Sequence, residues 1–182
     1  MVQERLGPDA WVRAGLAALV EGGVAAVRVE PLAARLGVTK GSFYWHFADR
    51  GALERAMVEA WEQRSTLSVI DEVEARGGTP AERLHELLRI SASGKADRVE
   101  AAMRAWGAVD PNVGKAVARV DGRRERFVID LFEAAGLTRK EATVRTRILY
   151  LALVGEYSRT SHGAPSSPKE TWTSLERLLL ER

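Results

Sequence analysis

Apolar residues recur at helical spacing along most of the chain. Ala10, Trp11, Ala14, Ala17 and Ala18 mark a helix over Ala10 to Val20, with Pro8 suited to its first turn and Glu21-Gly22-Gly23 to its end. Pro31 then opens a second, short helix that runs to Leu36, striped by Leu32, Ala33 and Leu36. The run Leu36-Gly37-Val38-Thr39 reads as a helix end, a glycine for the left-handed C′ position and a capping threonine. In the segment that follows, Phe43 and Phe47 stand at i and i+4 and share one face, which can anchor it to a core. Lys40, Ser42, Tyr44 and His46 fall away from that anchor, where they can reach a partner.

The remaining helices announce their starts. Thr79-Pro80-Ala81-Glu82, Thr138-Arg139-Lys140-Glu141 and Ser167-Pro168-Lys169-Glu170 each match a capping box, and Asp110-Pro111 has the same cap-and-proline form. The spacing predicts helices over Asp49 to about Glu74, Ala81 to about Ser91, Val99 to Val109, Pro111 to Ala135, Arg139 to about His162 and Pro168 to Leu180. Gly77-Gly78, Gly94, Gly136 and Gly163-Ala164-Pro165 supply the stops. Almost nothing alternates as a strand would. The fold class is therefore all-α, with a long helix from Asp49 joining a small N-terminal head to a larger body.

Composition narrows the picture only a little. The 182 residues carry 27 Lys and Arg against 25 Asp and Glu, a net charge of +2. The first fifty hold six basic residues and five acidic ones. Affinity for nucleic acid must then come from local placement and from pairing of two copies, since bulk charge is nearly absent. There is no cysteine, hence no disulfide framework and no thiolate chemistry. The start MVQERLGPDAW lacks a basic-then-apolar signal, and no apolar run is long enough to span a bilayer, so a cytoplasmic location is expected.

Three short helices with a tight turn between the last two form the smallest unit that sets a helix into the major groove of DNA. At these residues the chain resembles the DNA-binding domain of the TetR family of bacterial transcriptional repressors. The resemblance is carried by Ala33, Leu36-Gly37-Val38-Thr39, Gly41-Ser42, Phe43-Tyr44-Trp45-His46-Phe47, Arg50 and Leu53. It covers about the first third of the chain. In the family a lysine usually follows the recognition helix; Arg50 stands there and keeps the charge.

The resemblance implies a helix-turn-helix domain over 1–52 and a helical ligand-binding and dimerisation domain over 53–182. It implies that Ser42, Tyr44, His46 and Arg50 meet phosphates of double-stranded operator DNA, and that Thr39, Lys40 and Gly41 face base edges. Lys40 is the best single candidate for reading guanine O6 and N7. Arg28 and Glu30, where the second helix begins, are candidates for the backbone or a base, although Glu30 repels phosphate unless it accepts from cytosine. Repression of transcription and release by a small-molecule inducer follow from the same likeness.

Two features of the body bear on that expectation. The helices over 139–162 and 168–180 carry apolar surfaces wider than one intrachain core needs, among them Ile148, Leu149, Leu151, Val154, Trp172 and Leu178. They are the candidate homodimer surface, as a four-helix bundle, which would place two reading helices about 34–36 Å apart or a multiple of that. Trp61, His85, Met103, Trp106, Asp110, Phe127, Tyr150 and Tyr157 are candidates to line a ligand pocket, with Leu87 and Leu131 as further apolar walls and Arg104, Asn112 and Glu156 as further polar groups. Ordinary core packing competes for each aromatic.

Enzymatic chemistry finds no support. His46, His85 and His162 lie in separate helical regions without metal-ligand spacing, and no glycine-rich loop follows a strand. No cofactor is called for. A second reading stays open: a helical binding or scaffolding module whose head no longer selects DNA.

Overall fold

The computed structural model describes residues 6–91, 93 and 97–181, and no strand occurs among them. Ten α-helices follow in order: α1 (Pro8–Gly22), α2 (Val29–Leu36), α3 (Lys40–Tyr44), α4 (Arg50–Glu62), α5 (Ser68–Arg76), α6 (Pro80–Ser91), α7 (Asp97–Gly107), α8 (Pro111–Ala134), α9 (Arg139–Ser161) and α10 (Lys169–Leu180). The stop expected at Gly94 lies outside the described residues.

Four helix starts are capped by side chains close by in sequence. Asp110 caps α8 by accepting from the amides of Asn112 (2.8 Å) and Val113 (3.4 Å). Thr79 with Glu82, and Thr138 with Glu141, close reciprocal capping boxes ahead of α6 and α9. Asp49 caps α4 through the Ala52 amide at 2.7 Å. Gly37 ends α2 at φ 67°, ψ 28°, a left-handed conformation that a Cβ would strain.

Three starts differ from the sequence reading. The second helix begins at Val29, so Pro31 sits inside its first turn, where a missing N–H leaves no intrahelical bond unmade. Thr39 occupies the N-cap of α3, but its side chain makes no capping bond. No capping box forms at Ser167. Its amide and hydroxyl instead donate to the buried Glu156 carboxylate at 2.5 and 2.8 Å, and Pro168 becomes the N-cap of α10. A carboxylate removed from water is a stronger acceptor than the exposed Glu170 offered in sequence.

The long helix from Asp49 is interrupted. Between α4 and α5 the chain forms a π turn over Gln63–Leu67, a wider winding that is rare and recurs at functional sites. No glycine or proline announces it. Arg124 on α8 holds it from outside, taking the Ser65 carbonyl at 3.0 Å and the Thr66 hydroxyl at 2.9 Å.

Two apolar clusters organise the packing. The first joins Trp11, Leu19, Leu32, Phe43, Leu53, Met57 and Trp61 of the head and connecting helix to Met103, Trp106, Val113 and Val120 of α7 and α8. The second holds Leu84 and Leu88 of α6, Phe132 of α8, Leu149 and Leu153 of α9, and Trp172 and Leu179 of α10. Each large side chain buried this way is worth roughly 1.5–3 kcal/mol. The head therefore shares a core with the body. Where α7 meets the start of α8, a Cβ on Gly114 would lie 2.8 Å from the Gly107 carbonyl oxygen, so the close crossing requires glycine.

A charged layer runs between the clusters. Glu100, 1% exposed, receives the Trp61 indole N–H at 2.9 Å and both Arg124 Nη groups at 2.6 and 3.0 Å. Arg104 forms the parallel pair with Asp121 at 2.8 and 3.0 Å, and the Tyr150 hydroxyl donates to Asp121 at 2.5 Å. Burial alone would raise the Asp121 carboxyl; the bonds from Arg104 and Tyr150 outweigh it and hold the group below its ordinary value. Burial, together with the carboxylate beside it, pushes the Tyr150 phenol up to about 12.

Candidate nucleic-acid interface

The candidate surface is built on two buried rings. Phe43 is fully buried, edge-on to Trp11 of α1 with centroids 5.2 Å apart, and stacks on Phe47 at 5.5 Å. These contacts fix a helix of five residues, far too short to be stable alone. Because Phe43 and Phe47 face inward, their neighbours must face out. Thr39, Lys40, Gly41, Tyr44 and His46 are exposed, and Ser42 is half-buried. The structure thus gathers the six head candidates from 39 to 46 on one short, outward-facing segment. Arg28 and Glu30 flank it at the start of α2, and Arg50 at the start of α4.

Trp45 belongs to this surface and was not among the candidates. It is 87% exposed, beside Tyr44 at 54%. Its signal was present in the sequence: a residue between Phe43 and Phe47 but off their face cannot enter the same core.

Lys40, Arg50 and Arg35 are engaged within the protein. Lys40 Nζ meets Glu30 Oε1 at 2.5 Å, and the hydrogen bond with its charge lowers the Glu30 carboxyl and raises the Lys40 ammonium. Arg50 reaches Glu54 Oε1 at 2.7 Å and the Val24 carbonyl at 2.8 Å. Arg35 pairs with Glu21 through two bonds of 2.7 Å. The Lys40 and Arg50 groups thus stand at the surface with intramolecular partners that a phosphate or base would have to replace. Exposed pairs of this kind are weak and yield to competitors.

Similarity to known proteins covers this same region. Residues 12–57 match the family described as bacterial regulatory proteins, tetR family. Residues 12–57 thus carry a TetR-family segment. The Tetracycline repressor protein class A from transposon 1721 of Escherichia coli is 43% identical over 56 residues, which span 31% of this chain and 26% of that repressor. The chain thus aligns with about a quarter of the length of that relative. Among solved structures, a transcriptional regulator from Rhodococcus sp. Rha1 superposes with a TM-score of 0.76 at 20% identity, covering 96% of this chain and 94% of its own. A regulatory protein TetR from Rhodobacter sphaeroides reaches 0.73 at 22% identity, with 94% and 96% covered. These likenesses extend the TetR-family fold over the helical body. The relatives are transcriptional regulators and not enzymes.

The body candidates separate into several places. Trp61 and Met103 are buried in the first core. Asp110 caps α8, and the amide of Asn112 serves that cap. His85 faces outward, its Nδ1 2.9 Å from Glu176 on α10. Glu156 is occupied by Ser167, Arg104 by Asp121, and Leu131 is buried on α8. Phe127, Tyr150, Tyr157 and Leu87 do come together. They line a largely enclosed cavity of about 50 Å³ between the π turn, α5, α6, α8 and α9. Trp106 and Tyr157 also border a more open groove of about 680 Å³ between the end of α1, α7 and α9.

The last two helices expose several large apolar side chains. Val144, Ile148 and Leu151 on α9 are 54%, 48% and 64% exposed, and Leu178 on α10 is 64% exposed. Their spacing of four and three residues lines the α9 side chains along one face. No helix among the described residues is long and apolar enough to cross a membrane.

Proposed function

We propose that the chain is a dimeric transcriptional regulator, a repressor that leaves its operator when a small molecule occupies the helical body. The observation that carries the reading is α3 with the turn after it: a short segment pinned by Phe43 and Phe47, with Lys40, Tyr44, Trp45 and His46 all exposed. A face with that many exposed aromatic and donor groups suits phosphates and base edges better than it suits bare solvent. Residues 1–52 act as the reading head and 53–182 as the ligand-binding and dimerising body. Ser42, Tyr44, His46 and Arg50 take phosphate contacts, with Thr39, Lys40 and Gly41 toward base edges and Arg28 and Glu30 at the margin.

Dimerisation through 139–162 and 168–180 is supported by the exposed Val144, Ile148, Leu151 and Leu178. A single small head makes too few contacts for specific binding, so pairing is part of the function. The cavity at Phe127, Tyr150 and Tyr157 is the ligand site favoured by its enclosure. Its wall includes Ser65 and Thr66 of the π turn that continues α4, the helix leading to the head. An occupant that favours a different setting of that turn shifts the head, which is the differential affinity that release requires. The protein acts in the cytoplasm, where operator DNA lies.

The test is a gel shift and footprint on DNA flanking the protein's own coding sequence. Saturable, sequence-selective binding that weakens steeply with salt is expected. Uniform protection of unrelated DNA would defeat the repressor reading in favour of a helical binding module whose Lys40 and Arg50 are committed to Glu30 and Glu54.

A further inference from the structure

The enclosed cavity has walls that restrict the chemistry of its occupant. Val69, Leu88, Phe127, Val128, Leu149 and Leu153 make it mainly apolar. Arg124 is the charged side chain in its wall, and that charge is already answered. Its Nη groups bind both Glu100 oxygens and the Ser65 carbonyl, and its Nε binds the Thr66 hydroxyl. The Tyr150 hydroxyl is likewise taken up by Asp121 and Arg104.

Thr146 differs. It lines the cavity, is 2% exposed, and its Oγ1 has no hydrogen-bond partner among the described residues. A helical threonine ordinarily returns its hydroxyl to the carbonyl four residues back. Thr143, Thr160 and Thr173 do so at 2.7, 2.9 and 3.2 Å. Thr146 sits on the same helix as two of these and makes no such bond. A buried hydroxyl left unpaired is costly, and a hydrogen-bonding ligand group removes that cost.

We propose that this cavity takes a neutral, largely apolar molecule whose single hydrogen-bonding group meets Thr146. The proposal rests on the body being the ligand-binding part of the regulator, and it adds the class of ligand. A carboxylate is disfavoured because Arg124 is neutralised by Glu100, so an incoming anion would be buried without a counter-charge. At about 50 Å³ the cavity is small beside the roughly 300–1,000 Å³ of ordinary ligand pockets. The occupant is therefore compact or parts the wall formed by α5 and the π turn.

The test uses the full chain with three probes of one shape: benzyl alcohol, toluene and benzoate. Titration calorimetry gives the affinities, and methyl NMR shifts of Leu149 and Leu153 report the site. Benzyl alcohol is expected to bind at least about tenfold tighter than benzoate, which lacks a free cation to meet. Thr146→Val should weaken benzyl alcohol by roughly threefold to tenfold, the size of one net hydrogen bond. It should leave toluene unchanged or tighter, and Thr146→Ser should restore the alcohol. Thr146→Val removes an unpaired group, so its melting temperature should not fall. Benzoate binding as tightly as benzyl alcohol, no saturable binding of the alcohol, or indifference of the alcohol to Thr146→Val overturns the proposal. Operator binding is followed in parallel. Alcohol bound with the Thr146 signature but without effect on DNA supports this proposal and defeats ligand-controlled release. DNA released by the alcohol without that signature defeats this proposal and leaves the regulator reading intact.

Discussion

Replacing Glu100 by glutamine removes one charge from the centre of the molecule and almost nothing of its shape. Glu100 is 2% exposed in its side chain and Arg124 14%, with 2.6 Å between Arg124 Nη2 and Glu100 Oε1. Breaking a buried pair from one side costs about 3–5 kcal/mol, because the remaining ion stays buried without its partner. Glutamine still offers one oxygen, to Trp61 or to Arg124, which places the expected loss near the lower end, at about 3 kcal/mol. For a chain of this length each kcal/mol lowers the melting temperature by about 2–4 °C, so the fall should be roughly 6–12 °C. Urea unfolding followed by circular dichroism reads the loss directly. The double variant Glu100→Gln with Arg124→Met should recover much of it, since no uncompensated charge remains. A single-variant loss under about 1 kcal/mol would show that water reaches this layer. A double variant equal to the sum of the singles would show that the pair is not coupled.

Four further outcomes follow from the structure. Tyr44→Phe should weaken binding to all DNA sequences equally, whereas Lys40→Ala should change which operator bases matter; competition gel shifts with base-substituted operators separate the two. The Glu30 carboxyl, held low by Lys40, should titrate by NMR below the ordinary 4.5 and return toward it in Lys40→Ala; its pair with Lys40 is present above that value and lost as the pH falls through the lowered one. Leu151→Glu should convert a dimer into monomers in sedimentation at micromolar concentration, and a wild-type chain that already sediments as a monomer would refute the proposed α9–α10 surface. Gly114→Ala should destabilise the fold by about 1–3 kcal/mol in urea, because the added Cβ meets a backbone carbonyl that cannot rotate aside.

The sequence by itself determined most of the helices and the anchor of the N-terminal head. The capping boxes at Thr79 and Thr138 and the cap at Asp110 were legible because donor and acceptor lie within three residues of one another. Phe43 and Phe47 were legible for the same reason, since one helical turn brings them together whatever surrounds it. At Ser167 the local rule failed, because a carboxylate eleven residues upstream, brought close by the packing of α9, competed and won. The π turn was unreadable because its stabilising partner, Arg124, lies 59 residues from Ser65. Only tertiary structure decided that Lys40 leans on Glu30, and that Trp61 and Met103 pack in the core while Phe127, Tyr150 and Tyr157 line a cavity. An aromatic residue declares that it will be buried; which neighbours bury it, and whether they leave space, depends on how distant helices meet.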